Sequence, residues 1–465
     1  MSGAELSNKR HPPQISEPGL IRNNVLTGLD GYLFLFNGGQ RSFSFSTGDT
    51  KPSSLSVSHF FDNLDQRNRI LTARDIPFLH LVYPSKEVVL KDKVPAPWRE
   101  RIQSLFLSCY VADQPALEHM SMYPLRTLMA LNHTQPVFRV QDTHMTDAGT
   151  MALTQHVLCK WDLQYDVTKF FVTIQEERPA DCSDMLGLKD MVSEEFFKPT
   201  FSYHTFDNRS SLPGNTNNVC ILHCPGSMTR KRLLIFGDSF IKCALPFLMP
   251  IFRDVVYARS ATFQSDIVDL MLPDFVISSN AERYLCKVEA DACSQPLIFT
   301  HYGKTDYTPP PTFIEAYNAQ LSWHHHRGFY EEWVRKMQSD CMSWEGLGVC
   351  QPNQQIEALD LKGNFRSNGP DPYFTFPATD IYPGKQYALE MDIRSDVKST
   401  ATLYFRTEED DRFSERSTIK LPVDCGENSL SFILPSARLK PAIRLDPLAR
   451  PGCFTIQNIV LRKID

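Results

Sequence analysis

Lys231-Arg-Leu-Leu-Ile-Phe-Gly-Asp-Ser-Phe-Ile-Lys-Cys243 is the stretch whose reading decides the fold. Its apolar residues Leu233 to Phe236 read as a short buried strand. Gly237-Asp238-Ser239 has turn chemistry, and Phe240 to Phe252 continues mostly apolar at helix length, interrupted by Pro246 and Pro250. A serine at the tip of a strand–turn–helix exposes its hydroxyl at the end of a sheet. Its backbone N–H then lies at a helix N-terminus, where a developing oxyanion is stabilised. Ser239 is therefore a candidate nucleophile, and Gly237 and Asp238 are candidate oxyanion or substrate contacts. Gly-Asp-Ser is also ordinary turn sequence, so the reading requires a base elsewhere in the chain.

Outward from this stretch, strands and helices alternate. Val255–Ala258 reads as a strand, Ser265–Met271 as a helix, and Asp274–Ser278 as a further strand, with Asn280–Leu285 leading out of the sheet. On the N-terminal side, Gly28–Gly39 is a tight turn feeding an apolar strand, and Val57–Thr72 has helical spacing. Pro77–Pro84 reads as a buried strand that ends in Ser85-Lys86-Glu87. Helices are expected around Trp98–Cys109 and Pro124–Leu131, a strand at Val137–Val140, and an amphipathic helix over Gly149–Leu163. This order predicts an α/β domain with a mostly parallel sheet and helices on both faces. Gln164–Arg230, rich in Pro, Ser and Asn, reads as an insertion with some strands, and Ile314–Met342 as a helical connection holding Trp323 and Trp333.

After about residue 355 the texture changes to short alternating runs separated by turn residues, from Tyr387–Ile393 to Cys453–Leu461. That is the pattern of an all-β sandwich. The expected organisation is a loose arm over 1–20, an α/β domain over 21–350 and a β-sandwich over 351–465.

Bulk composition excludes several classes. At 42% hydrophobic and 22% charged, the 465 residues suit globular domains rather than disorder. A net charge of −6 argues against a general nucleic-acid binder. No apolar run reaches the roughly 18 residues of a membrane span. The polar start, without an apolar core segment, predicts a cytoplasmic chain as written, or a periplasmic one if a leader has been removed. Cysteines such as Cys109, Cys159, Cys243 and Cys453 are scattered in apolar settings and read as reduced thiols. Cys220-Ile-Leu-His-Cys224 lacks a second cluster with zinc-ligand spacing, and no metal is expected. His324-His325-His326 reads as a solvated or partly stacked stretch.

Asp142 and His144 are the candidates to activate Ser239. Two apart in an extended segment, they project to the same side, and both follow an expected strand end. A carboxylate beside an imidazole fixes its tautomer and stabilises the imidazolium formed when it takes the serine proton. Asp142-Thr-His144 could equally be a loop before the following helix, which Thr146 or Asp147 could cap.

Six segments, in order and spacing, carry a resemblance over roughly residues 25–290. They are Gly28-Leu-Asp-Gly-Tyr-Leu-Phe-Leu35, Tyr83-Pro-Ser-Lys-Glu-Val-Val89, Tyr123-Pro-Leu125, Asp142-Thr-His-Met-Thr-Asp-Ala-Gly149, Phe236-Gly-Asp-Ser-Phe240 and Pro273-Asp-Phe-Val-Ile277 with Glu282-Arg-Tyr-Leu285. Together they resemble the SGNH-hydrolase-like domain of the alginate O-acetyltransferase family, AlgJ and AlgX. In that family the Asp-x-His pair precedes the Gly-Asp-Ser serine, as here. The resemblance implies Ser239 as nucleophile, His144 as base and Asp142 as its orienter. It departs at Met145, where the family usually has Trp, which puts acceptor-sugar stacking there in doubt. Arg259, Ser260 and Lys86 are further oxyanion or substrate candidates.

Arg444-Leu-Asp-Pro447, followed by Pro451-Gly452 and an alternating strand, resembles the jelly-roll, carbohydrate-binding-like modules appended to polysaccharide-modifying proteins. Tyr404 and Phe405 are its sugar-stacking candidates. The implied activity is transfer of an acetyl group through an acetyl-serine onto a bacterial surface glycan or its precursor. Alternatives are a carbohydrate acetyl esterase with the same triad and a non-catalytic glycan-binding protein. The expected partners are a poly- or oligosaccharide acceptor, an acetyl donor such as acetyl-CoA, and other glycan-biosynthesis proteins. No bound cofactor is expected.

Overall fold

The computed structural model describes residues 17–111, 121–188, 192–201, 203–297, 307–337, 343–345, 351–359, 363–376, 386–435, 439–440 and 442–463. Most of the expected arm over 1–20 lies outside these residues. So does 338–342, the end of the expected helical connection.

A seven-stranded mixed sheet organises the first part of the chain. Its strands are β1 (Phe78–Tyr83), β2 (Ser121–Met122), β3 (His204–Asp207), β4 (Val219–His223), β5 (Arg232–Phe236), β6 (Asp254–Ala258) and β7 (Phe275–Ala281). Their spatial order is β2-β1-β7-β5-β6-β4-β3. Neighbours from β2 through β6 run parallel, and β4 and β3 complete the edge antiparallel. All five residues of β5 are buried, as a strand between two parallel neighbours and under two helical layers must be.

Helices around it include α1 (Ser54–Thr72), α2 (Asp147–Lys160), α3 (Ser239–Leu248), α4 (Ser265–Met271), α5 (Pro311–Leu321) and α6 (Arg327–Met337), and the helix expected near Pro124 spans Leu125–Asn132. Side-chain oxygens cap three of them. Ser53 accepts from the Ser56 N–H, Thr146 from Gly149, and Asp238 from Phe240. Among the described residues no helix is long and apolar enough to cross a membrane.

Three segments depart from expectation. Val137–Val140 is not a strand. Its residues open a tight loop closed by a single bridge between Phe138 and Met145, with the Arg139 N–H donating to the His144 carbonyl. The carbonyls of Arg139, Val140 and Asp142 turn towards the Lys86 ammonium, and that of Val140 also accepts from the Leu33 N–H. The helix expected over Trp98–Cys109 is broken into a 3-10 turn at Arg99–Arg101 and a π-helical turn at Leu107–Val111. Between them the Gln103 N–H is taken by the Ser46 carbonyl, and the Phe106 N–H and Ser104 hydroxyl by Glu282. Finally, Gln164–Arg230 is only partly an insertion. Phe171–Arg178 and Val192–Pro199 form a separate hairpin, but β3 and β4 belong to the main sheet.

The C-terminal part forms two antiparallel sheets. One runs Ile356–Ala358, Asn364–Ser367, Gly452–Lys463, Tyr387–Ser395 and Gly426–Ile433, with Ser343–Glu345 paired on Gly452–Lys463. The other runs Gln351–Pro352, Phe374–Phe376, Ile443–Asp446, Ser399–Tyr404 and Thr418–Val423. Phe365 and Phe454 from the first sheet stack against each other, and Phe374 from the second meets both edge-on. Arg230 pairs with Asp392, and the Ser431 N–H bonds the Met228 carbonyl, so this part docks on the loop before β5.

Candidate active site

The β5–α3 turn is sterically determined. A Cβ at Gly237 would lie 2.2 Å from Ser279 Oγ and 2.6 Å from Ile241 Cγ2, so only glycine lets β7 and α3 approach this closely. Asp238 then bonds two backbone amides, Phe240 at 2.9 Å and Ala281 at 2.5 Å, tying the helix start to the end of β7. The Tyr257 hydroxyl donates to the Asp238 carbonyl at 2.9 Å. Ser239 is the first residue of α3, so its N–H has no carbonyl one turn back to bond and points out of the helix end.

The Asp142–His144 loop meets it. His144 Nε2 lies 2.9 Å from Ser239 Oγ, and His144 Nδ1 lies 2.8 Å from Asp142 Oδ1. Asp142 Oδ1 also accepts the His144 N–H at 2.8 Å, and its Oδ2 accepts from Arg139 Nη1 at 2.9 Å and from the Asp181 N–H at 3.1 Å. Burial alone would raise the Asp142 pKa. The bonds from His144 and the Arg139 charge outweigh it and hold the carboxyl well below the usual carboxylate range. The side chain of Asp142 is 6% exposed and that of His144 24%, so the carboxylate is sealed while the imidazole faces the opening. The Phe240 ring supports the imidazole from 5.2 Å.

Two of the remaining candidates have other roles. Lys86 is committed, through its ammonium, to main-chain oxygens. It is buried, and its Nζ reaches four carbonyl oxygens, Leu33 at 2.8 Å, Arg139 at 2.7 Å, Val140 at 3.0 Å and Asp142 at 2.9 Å. It clamps the loop that carries Asp142 and His144. Asp238 is no oxyanion donor either, because a carboxylate committed to two amides repels developing negative charge. Arg259 and Ser260 do gather beside Gly237 and Asp238, in a cleft also lined by Asn280 and Tyr284.

The sequence reading does not include Arg139 and Asp181, both of which bond the loop that carries Asp142 and His144. Arg139 had a signal, since it stands three residues before Asp142. Asp181 had none, coming from the insertion. It accepts from the Thr143 N–H and hydroxyl and lies 3.7 Å from His144 Nδ1. Donor atoms of Asp142, His144 and Asp181 lie within 4.8 Å of one another. Asp142 and His144 are nevertheless bonded to each other, which suits proton transfer rather than ligation. In the Cys220–Cys224 segment, Cys220 Sγ turns to Asn218 and His223 Nδ1 to Asp254. In the C-terminal sheets Phe405 is buried, and Tyr404 carries the Arg444 guanidinium 4.8 Å over its ring.

No protein-family model matches the sequence, and no curated protein matches it. Among solved structures, the chain is similar to the O-acetyltransferase domain of Pseudomonas putida AlgJ, at 15% identity and a TM-score of 0.38, over 60% of this chain and 98% of that one. It is similar to Pseudomonas aeruginosa AlgX at 11% identity and a TM-score of 0.37, over 95% of this chain and 94% of that one. A DHHW family protein from Eubacterium siraeum is similar at 12% identity and a TM-score of 0.43, over 59% of this chain and 95% of that one.

Proposed function

We propose that this protein is a serine O-acetyltransferase that moves an acetyl group onto a hydroxyl of a polysaccharide or its precursor. The observation that carries the reading is the unbroken chain of hydrogen bonds from Asp142 through His144 to Ser239, at 2.8 and 2.9 Å. His144 Nε2 takes the Ser239 proton as Oγ attacks the acetyl carbonyl, and Asp142 stabilises the imidazolium. The oxyanion forms at the start of α3, where the Ser239 N–H and the helix dipole offset its charge. Collapse expels the donor's leaving group, which takes the proton from His144, and leaves acetyl-Ser239. A sugar hydroxyl then gives its proton to His144 and attacks the acetyl-serine, and Ser239 recovers the proton as the ester leaves. An activated acetyl ester or thioester, acetyl-CoA among them, suits the first half.

The choice of a sugar rather than water as acceptor draws on the sequence resemblance and is open to a direct test. The protein is incubated with 4-nitrophenyl acetate, with and without oligosaccharides. Acetylated oligosaccharide should appear, with nitrophenol release accelerated by the acceptor. Release indifferent to every sugar, with acetate as sole product, would convert the assignment to an esterase. Full turnover by a folded Ser239→Ala variant would remove the triad from the account.

A further inference from the structure

The Nδ1 edge of His144 faces a second carboxylate. Asp142 Oδ1 lies 2.8 Å from Nδ1, and beyond it stand Thr143 Oγ1 at 3.5 Å and Asp181 Oδ2 at 3.7 Å. Asp181 opens a short helical turn, Asp181–Met185, and is tied to the Asp142–His144 loop through main chain and side chain alike. Its Oδ1 accepts the Thr143 N–H at 2.7 Å and its Oδ2 the Thr143 hydroxyl at 2.5 Å. Its own N–H donates to Asp142 Oδ2 at 3.1 Å. A carboxylate fixed in this way holds its charge beside the imidazole without bonding it.

The surrounding charges make that position matter. Asp142 is only partly free to answer a positive imidazole, because its Oδ2 already pairs with Arg139, which also holds Glu194. Asp181 is held by the neutral donors of Thr143. The cations that feel its charge are engaged elsewhere: Arg139 with Asp142 and Glu194, Lys86 with four carbonyls, and Arg283 over the Phe240 and Tyr284 rings. The Asp181 side chain is 40% exposed, so water weakens its field at Nδ1 without removing it.

We infer that Asp181 is a second positioning residue for His144, a carboxylate that stabilises the imidazolium alongside Asp142 and accepts the Nδ1–H bond when Asp142 is removed. The inference rests on His144 acting as base towards Ser239, and it extends the site from one carboxylate to two. As Nε2 takes the serine proton the ring becomes positive, and Asp181 gains an attraction that it lacks towards the neutral ring. An interaction that strengthens only as the reaction proceeds acts on kcat rather than on KM.

Turnover of 4-nitrophenyl acetate is measured for Asp181→Asn in three backgrounds, with the melting temperature of each variant recorded to show that it is folded. Asparagine keeps a carbonyl oxygen for Thr143 and removes the charge. In the otherwise unmutated protein it should lower kcat about threefold and leave KM unchanged. On Thr143→Val, which lacks the hydroxyl that Asp181 holds, the same substitution should again cost about threefold. On Asp142→Ala, where Asp181 is the remaining carboxylate at Nδ1, it should cost roughly tenfold or more. An unchanged kcat in Asp181→Asn, or a loss that disappears on Thr143→Val, would overturn the inference and reduce Asp181 to an anchor for Thr143. So would a loss on folded Asp142→Ala no larger than on the unmutated protein. Undiminished turnover by a folded His144→Ala protein would instead contradict the base on which the inference rests.

Discussion

Lys86 shows how a single side chain can set the geometry of a site by binding main-chain oxygens. Its ammonium serves four carbonyls, three of them in the loop that carries Asp142 and His144. Burial lowers its pKa to about 8, against the pull of nearby charges such as Asp142, Asp181 and Glu194. The folded pKa lies below that of an exposed lysine. Between the two, the unfolded chain holds a proton that the folded chain has released, so stability from this group rises with pH across that window. Activity should move the other way, because the neutral amine donates fewer hydrogen bonds to the loop. Ester hydrolysis should therefore fall as pH rises through about 8 with no loss of melting temperature, and Lys86→Met should lower kcat by roughly tenfold or more while removing that fall. A melting temperature that falls in step with activity would contradict this. The triad residues were legible in the sequence because Asp142 and His144 are two apart and Ser239 sits on a recognisable turn. The role of Lys86 was not, because its acceptors are main-chain oxygens 53 to 56 residues away.

At the scale of elements, β4, β5, β6, α5 and α6 converge on one buried carboxylate. Asp254 accepts from Tyr330 and Gln320 at 2.6 Å each, contacts His223 at 2.8 Å, and faces Arg253 and Arg232 at 3.3 and 3.4 Å. Burial would raise its pKa, but the His223 bond and the two arginine charges hold it far below the usual range. A depressed folded pKa contributes stability above the ordinary carboxylate range that is lost as pH falls through and below it. Asp254→Asn leaves two arginines short of their counter-charge and should cost about 3–5 kcal/mol at about pH 7 by urea denaturation. The difference from the unmutated protein should shrink towards about pH 3. An unchanged urea midpoint at neutral pH would show that the helices are held by packing alone. The sequence concealed this network because β4 follows the Ser- and Asn-rich run Ser210–Asn218, which reads as loop up to the strand's first residue. The misread strand at Val137–Val140 has a related cause. Its apolar residues Val137 and Phe138 are fully buried, but the Arg139 carbonyl is drawn to Lys86, and that of Val140 is shared between Lys86 and the Leu33 N–H without extending into a ladder.

Across the whole molecule, short continuous apolar runs made the mixed sheet readable, since its central strands are buried on both faces, and alternation made the C-terminal double sheet readable. How the two parts meet was not readable, since it depends on short contacts such as Arg230 with Asp392 and Ser431 with Met228. Buried apolar residues of the main sheet and of the C-terminal sheets form one continuous cluster. Calorimetric unfolding should accordingly show a single transition, and two well-separated transitions would contradict a shared core. The central claim, that Ser239 carries the acetyl group, is tested most directly by trapping the intermediate. The protein is mixed with 4-nitrophenyl acetate, quenched in acid and digested, and the peptide containing Ser239 is analysed by mass spectrometry. One acetyl group on Ser239, absent from the Ser239→Ala and His144→Ala proteins, is the predicted result. Turnover with the acetyl group on another residue, or undiminished in Ser239→Ala, would contradict the account.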